Sequence, residues 1–152
     1  MNNIKADFII IGAGMLGLSM AYNIKNIIPE SSILILEKED SIGKHSSGRN
    51  SGVIHAGIYY KPNSLKAKVC VEGAKRLKKW IKERNLPINE CGKVIVPQEP
   101  FLDKQLDLLY QRGIDNGANV EIWNEKELKR KCPLVRTSSG RALWSPNTSV
   151  VK

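Results

Sequence analysis

Two unbroken apolar runs, Phe8 to Ile11 and Ile33 to Leu36, stand near the start of the chain. Neither alternates with polar residues, which suits strands buried on both faces, as in a parallel sheet. The first strand is predicted over about Ala6 to Ile11, after a short polar lead-in from Asn2 to Lys5. Between the runs, a helical pattern over about Met15 to Asn26 sets Leu16, Met20 and Ile24 on one side. Leu18, Tyr22 and Ile27 widen that apolar face, and Pro29 to Ser32 breaks the helix. The three elements make a β-α-β unit, for which a right-handed crossover is the rule. Farther along, Ser64 to about Arg84 reads as a helix with Ser64 as its N-cap. Its predicted apolar stripe is Leu65, Val69, Ala74, Leu77 and Ile81, with Lys75, Arg76, Lys78, Lys79 and Lys82 as a solvated face. Gly73 within it costs roughly 1 kcal/mol relative to Ala, which a close packing contact would explain. A strand is predicted over Gly92 to Pro97, and a helix over Pro100 to Asp115. Phe101, Leu102, Leu106, Leu109 and Tyr110 form that helix's apolar side, and Gly113 or Gly117 ends it. A short strand from Asn119 to Trp123 precedes a small helix that Asn124 caps, and Arg141 to Trp144 is one more strand.

Composition changes this picture little. A chain of 152 residues with 41% hydrophobic and 26% charged residues is ordinary for one globular domain. The net charge of +9 fits a lysine-rich solvated surface. The lysines are scattered and no nucleic-acid motif accompanies them, which argues against a nucleic-acid partner. Attraction to an anionic membrane surface stays open. Cys70, Cys91 and Cys132 are odd in number, lack metal spacing and read as reduced thiols. The first apolar run is too short for a signal-peptide core or a membrane span. The expected location is cytoplasmic, with a peripheral position at the inner membrane as the variant.

Candidate chemistry starts where the first strand ends. Gly12-x-Gly14-x-x-Gly17 follows Ile11 directly and opens the first helix. Gly12 suits a tight turn, Gly14 a close approach of backbone to a pyrophosphate, and Gly17 a close packing of helix on strand. The helix N-terminus offers N–H groups and partial positive charge to phosphates. Glu37 stands at the tip of the second run, where an acid can accept hydrogen bonds from both ribose hydroxyls of an adenosine. It would repel a 2′-phosphate, which disfavours NADP; these features do not separate FAD from NAD. The segment from Ser41 to Tyr60 holds both histidines, four glycines and many small hydroxyl residues. It cannot build a core from its own side chains and suits backbone lying against a ligand.

The run His45-Ser-Ser-Gly-Arg-Asn-Ser-Gly-Val-Ile-His-Ala-Gly-Ile-Tyr-Tyr60 resembles the second signature of FAD-dependent oxidoreductases of the D-amino-acid-oxidase-like superfamily. Within that group it is most similar to the L-2-hydroxyglutarate dehydrogenase/oxidase family. Pro62 to Ala67, Cys70-x-x-Gly73 and Asn89 to Lys93 are similar too. The resemblance implies an α/β chain: the N-terminal part of a Rossmann-like FAD-binding domain, then the beginning of an α+β substrate domain. The division is expected near residue 75, with residues 1–75 carrying the FAD-binding β-α-β unit and second signature, and 76–152 starting the substrate domain. Pro146 to Val151 is similar to the family's segment before another long helix, and Lys152 stands where the family usually has Asp. The rest of the substrate domain and the return to the nucleotide domain are absent on this reading. Apolar surface meant for those segments would then be exposed.

The implied reaction is FAD-dependent oxidation of a 2-hydroxy acid, with L-2-hydroxyglutarate to 2-oxoglutarate as the specific expectation. Expected FAD-binding residues are Gly12, Gly14, Gly17, Glu37, Lys38, His45, Ser46, Ser47, Asn50, Ser51 and Gly52. His55 is the expected catalytic base, because an imidazole titrates near working pH. Arg49 is open between a phosphate or carboxylate contact and solvent; Tyr59 and Tyr60 are open between flavin contact and core packing. The electron acceptor would be a respiratory quinone or oxygen. One alternative is part of a related amine or amino-acid oxidase, which the Asn50 to Tyr60 run fits less well. Another is a non-catalytic nucleotide-binding module, and a NAD-dependent enzyme is the weakest.

Overall fold

The computed structural model describes residues 4–151, so the expectations for Asn2, Asn3 and Lys152 lie outside the described residues. The chain forms two compact units, one ending at Ser51 and the other beginning at Gly52.

Unit 1 is the expected β-α-β arrangement: β1 (Phe8–Ile11), α1 (Met15–Ile27) and β2 (Ile33–Leu36). The strands pair in parallel with Phe8 opposite Ile33 and Ile11 opposite Leu36. Asp7 pins the start of β2, since its carboxylate accepts both the amide and the hydroxyl proton of Ser32 at 2.7 Å. Those bonds hold the Asp7 carboxyl below its ordinary value.

Two expectations fail here. The helix does not pack through Leu16 and Met20; Leu16 is 88% exposed. It packs through Gly17, Leu18, Ala21 and Ile24, all half-buried. A Cβ on Gly17 would overlap the Gly12 carbonyl oxygen and come within 3.2 Å of the Ile10 side chain. The small residues Gly17 and Ala21 let the helix approach, so that Leu18 and Ile24 of the expected face pack while Leu16 and Met20 are left outward. Likewise β1 is buried on one face only: Ile10 is buried beneath α1, whereas Ile9 and Ile11 are exposed. Among the described residues, no element covers that second face.

Unit 2 is antiparallel. Two three-stranded sheets form from β3 (Val53–Ile54), β4 (Ile88–Asn89), β5 (Lys93–Ile95), β6 (Glu121–Trp123), β7 (Ala142–Ser145) and β8 (Ser149–Val151). Their orders are β3-β8-β4 and β5-β7-β6. Three helices join them: α2 (Leu65–Glu83), α3 (Asp103–Asp115) and α4 (Glu125–Lys131). Both expected caps form, with Ser64 Oγ accepting from the Ala67 amide at 3.2 Å and Asn124 Oδ1 from the Glu127 amide at 2.9 Å. Ile58, Leu106, Leu109, Val120 and Leu143 make the main core. A second cluster centres on Trp123 and Leu128, with the Trp144 ring stacked 4.8 Å from Trp123.

The buried stripe of α2 also differs from the predicted one. It runs through Ala67 and Ile81, with Val71, Ala74 and Lys78 half-buried between them, while Leu65 and Val69 are exposed. Lys78 therefore leaves the solvated set; its ammonium donates to the Asn147 carbonyl at 2.7 Å and pairs with Glu90. Gly73 has no close contact: nothing lies within 4 Å of where its Cβ would be.

The two glycines should respond in opposite directions. Gly73→Ala is expected to stabilise the chain by up to about 1 kcal/mol, through helix propensity alone. Gly17→Ala should destabilise it by roughly 1–3 kcal/mol, because backbone must move to admit the methyl group. Urea unfolding of both variants beside the parent chain checks the pair.

Candidate functional site

The sharpest local geometry in unit 1 is the turn from β1 into α1. Gly12 has φ of +100°, a conformation that only glycine adopts without strain. Its amide donates to the Leu36 carbonyl at 2.7 Å, so the turn is tied to the end of β2. A second tie is stronger: the Ala13 amide donates to Glu37 Oε2 at 2.7 Å. Glu37 Oε1 accepts from the Glu39 amide at 3.1 Å. The Ala13 bond first, and then the Glu39 bond, hold the Glu37 carboxyl below its ordinary value, so it is ionised at neutral pH.

The loop after β2 folds back on the same turn. Ser47 Oγ accepts the Met15 amide at 2.9 Å, doing from a distant loop what a side-chain N-cap would do. Gly14, the residue at the N-cap position, offers no side chain for this. A Cβ there would lie 3.1 Å from Ser47 Oγ, tight enough that the hydroxyl would have to shift by a few tenths of an ångström. The Gly43 amide donates to the Ala13 carbonyl at 3.1 Å. His45 Nε2 lies 2.9 Å from Glu39 Oε1, and Lys44 pairs with Asp40. Asn50 turns its amide back onto the Ser46 and Ser47 carbonyls, at 3.3 and 2.8 Å.

These contacts frame a cleft of about 320 Å³. Of the residues expected to bind the cofactor, Gly12, Gly14, Glu37, Lys38, His45, Ser46 and Ser47 line it. Gly17 does not; it serves the packing of α1. Asn50 braces the loop from outside the lining. Gly52 belongs to unit 2, where its carbonyl accepts from the Val151 amide at 2.9 Å. Lys44 and Glu39 also line the cleft and were not singled out in the sequence. Only their closeness to His45 along the chain pointed to them.

The cleft suits the ADP half of a dinucleotide. Gly12 and Gly43 both have positive φ and nothing within 4 Å of a Cβ position, so bare backbone faces the opening. The α1 N-terminus adds helix polarity favourable to phosphate. Glu37 spends one lone pair of each oxygen on backbone, and an ionised carboxylate has further ones for ribose hydroxyls.

His55 stands in unit 2, at an exposed position after β3. Its ring meets Tyr59 edge-on at 6.2 Å. The Lys93 ammonium donates to Tyr59 Oη at 2.6 Å and lies 4.7 Å from the centre of that ring. Partial desolvation, and then the Lys93 charge, hold His55 below the usual imidazole range. It is therefore neutral at neutral pH, the form a base requires. Nothing in the spacing of Tyr59 and Lys93 announced their contact. Arg49 is exposed, and Tyr60 is half-buried with its carbonyl accepting from Asn116 at 3.0 Å. Among the described residues, no helix is long and apolar enough to cross a membrane.

Residues 7–152 match the family of FAD dependent oxidoreductases, DAO. The mitochondrial L-2-hydroxyglutarate dehydrogenase of Homo sapiens is 40% identical over 146 residues, covering 95% of this chain and 31% of that protein. The L-2-hydroxyglutarate dehydrogenase of Escherichia coli (strain K12) is 35% identical over 145 residues, covering 95% of this chain and 34% of that protein. The chain thus spans about a third of the length of the curated relatives it matches. Among solved structures, the dithionite-reduced L-alpha-glycerophosphate oxidase from Mycoplasma pneumoniae with FAD bound gives a TM-score of 0.85 at 26% identity. That match covers 98% of this chain and 39% of the other. Glycine oxidase from Geobacillus kaustophilus, at 17% identity, shares the fold with a TM-score of 0.83, over 96% of this chain and 40% of its own.

The tie between Glu37 and the glycine turn has a pH signature. A folded-state pKa below the ordinary 4.5 means its stabilisation is complete above that value. It is lost as pH falls through the lower folded value. Glu37→Gln should therefore be less stable than the parent chain at pH 7, and the gap should close as pH falls below about 4. Thermal unfolding of both chains across pH 3–7 measures this.

Proposed function

The chain belongs to the DAO family of FAD dependent oxidoreductases, and on that footing we propose that it is the FAD-binding portion of an L-2-hydroxyglutarate dehydrogenase, joined to the start of its substrate domain. The division falls near residue 75. The observation carrying the substrate is the 40% identity, over nearly the whole chain, to proteins of that name. The cleft of unit 1 supports the cofactor. On this reading Gly12, Gly14 and the start of α1 face the pyrophosphate, with Gly17 setting the helix close enough to do so. Glu37 takes the ribose hydroxyls. Lys38, His45, Ser46 and Ser47 line the remaining path, and Asn50, Ser51 and Gly52 carry the backbone onward.

Bound FAD would supply the two-electron acceptor for the hydrogen on C2 of the hydroxy acid. The protein's own task is the proton. His55, neutral at working pH, accepts it from the C2 hydroxyl as the carbonyl forms. The electron acceptor for the bound cofactor would be a quinone or oxygen, the former favouring a peripheral position at a membrane.

The test begins with FAD added to the purified chain, followed by gel filtration. Retained yellow flavin that is bleached anaerobically by L-2-hydroxyglutarate, and not by sarcosine or glycine, is the expected result. Bleaching by the amines instead would reassign the chain to an amine oxidase. No retained flavin would leave a non-catalytic module. His55→Asn should keep the flavin and slow bleaching by roughly 100-fold or more.

A further inference from the structure

Lys93 is a half-buried cation with only neutral partners. It begins β5, opposite Ser145 of β7. Its ammonium donates to Tyr59 Oη at 2.6 Å and lies 4.7 Å from the centre of the same ring, and no carboxylate pairs with it among the described residues. Other lysines near chain acids are paired: Lys82 with Glu90 and Lys129 with Glu125. An ammonium has three donors, and Tyr59 takes one. Arg112 holds the backbone of the same residue, donating from Nη1 to the Tyr59 carbonyl at 3.3 Å. The ring of His55 stands edge-on to Tyr59. One ammonium and a phenol hydroxyl thus stand near the imidazole, and among the described residues no carboxylate pairs with that ammonium.

We propose that Lys93 and the Tyr59 hydroxyl form an anion subsite beside His55, which binds a carboxylate of the 2-hydroxy acid. The proposal rests on the functional reading above and adds the groups that hold the substrate. A carboxylate accepts charge-assisted bonds from an ammonium and a hydroxyl together, which a neutral ligand does not. It also has a consequence for the base. The charged and titratable groups around His55 are Lys93 from β5, Arg112 from α3 by way of Tyr59, and the Cys70 thiol of α2, whose Sγ lies 3.6 Å from the His55 carbonyl. Lys93 is the one whose charge lowers His55. A bound carboxylate would offset that charge and make the imidazole more basic when substrate is present.

The chain has two histidines, so the His55 ring signal can be followed by NMR while L-2-hydroxyglutarate, L-lactate or the neutral diamide of 2-hydroxyglutarate is added. Both acids should move the His55 signal and raise its pKa; the diamide should do neither. Lys93→Met should raise the His55 pKa without ligand, remove its response to the acids and weaken their binding about tenfold or more. Lys93→Arg should restore most of the binding. Tyr59→Phe, which removes one oxygen only, should weaken it about threefold and is the control if Lys93→Met does not fold. Equal binding of acid and diamide, or acids bound unchanged by Lys93→Met and Tyr59→Phe, would overturn the subsite. The two readings fail separately. Acid binding that depends on Lys93, without bleaching of flavin by L-2-hydroxyglutarate, keeps the subsite and discards the substrate. Bleaching whose KM ignores both substitutions keeps the substrate and discards the subsite.

Discussion

The approach of α1 to the Gly12 carbonyl, which the bare Cα of Gly17 permits, sets the geometry of unit 1. A methyl group at Gly17 would meet backbone rather than a movable side chain. With the helix seated there, Ile10 is covered and the first amides of α1 are aimed past the end of β1. The turn between them then needs the positive φ of Gly12. Two hydrogen bonds to the end of β2 fix it: the Gly12 amide to the Leu36 carbonyl and the Ala13 amide to Glu37. The cleft is the space that this arrangement leaves open.

Glu37 therefore has a structural task beside the one its position implies. Its carboxylate is a charged acceptor for two backbone amides, and such bonds are about twice as strong as neutral ones. They keep it ionised and point its remaining lone pairs into the cleft. Ser47 has a comparable double use. Its hydroxyl caps α1 from another part of the chain, while its loop forms one wall. Bonds that both close the fold and frame the cleft give the cleft a defined shape.

Unit 2 handles charge differently. Several of its lysines and arginines, such as Arg76, Lys82 and Lys129, meet acids at the surface, where such pairs contribute little. Lys93 and Arg112 instead converge on Tyr59, a neutral residue. The protonated form of His55 is disfavoured first by partial desolvation and then by the neighbouring ammonium. An imidazole kept neutral is a usable base, so an arrangement that looks unbalanced in electrostatic terms is consistent with proton transfer.

The residues of β1, α1 and β2 declared themselves in the chain, because continuous apolar runs and a glycine turn are local properties. The caps at Ser64 and Asn124 were legible for the same reason: each side chain bonds an amide three residues away. The resemblance carried by His45 to Tyr60 named the cofactor class, because contiguous chemistry survives in sequence. Which face of α1 or α2 is buried was not legible. Hydrophobic size pointed to Leu16, Met20, Leu65 and Val69, whereas close approach selected Gly17, Ala21 and Ala67. Two-residue strands such as β3 and β4 carry no period to read, and they exist only because β8, about a hundred residues after β3, lies between them. Lys93 beside Tyr59, and Glu37 on the Ala13 amide, are likewise pairings across 34 and 24 residues. Local pattern follows from the backbone's own periodicity, but a contact between distant residues is decided by packing, and only the folded chain brings them together.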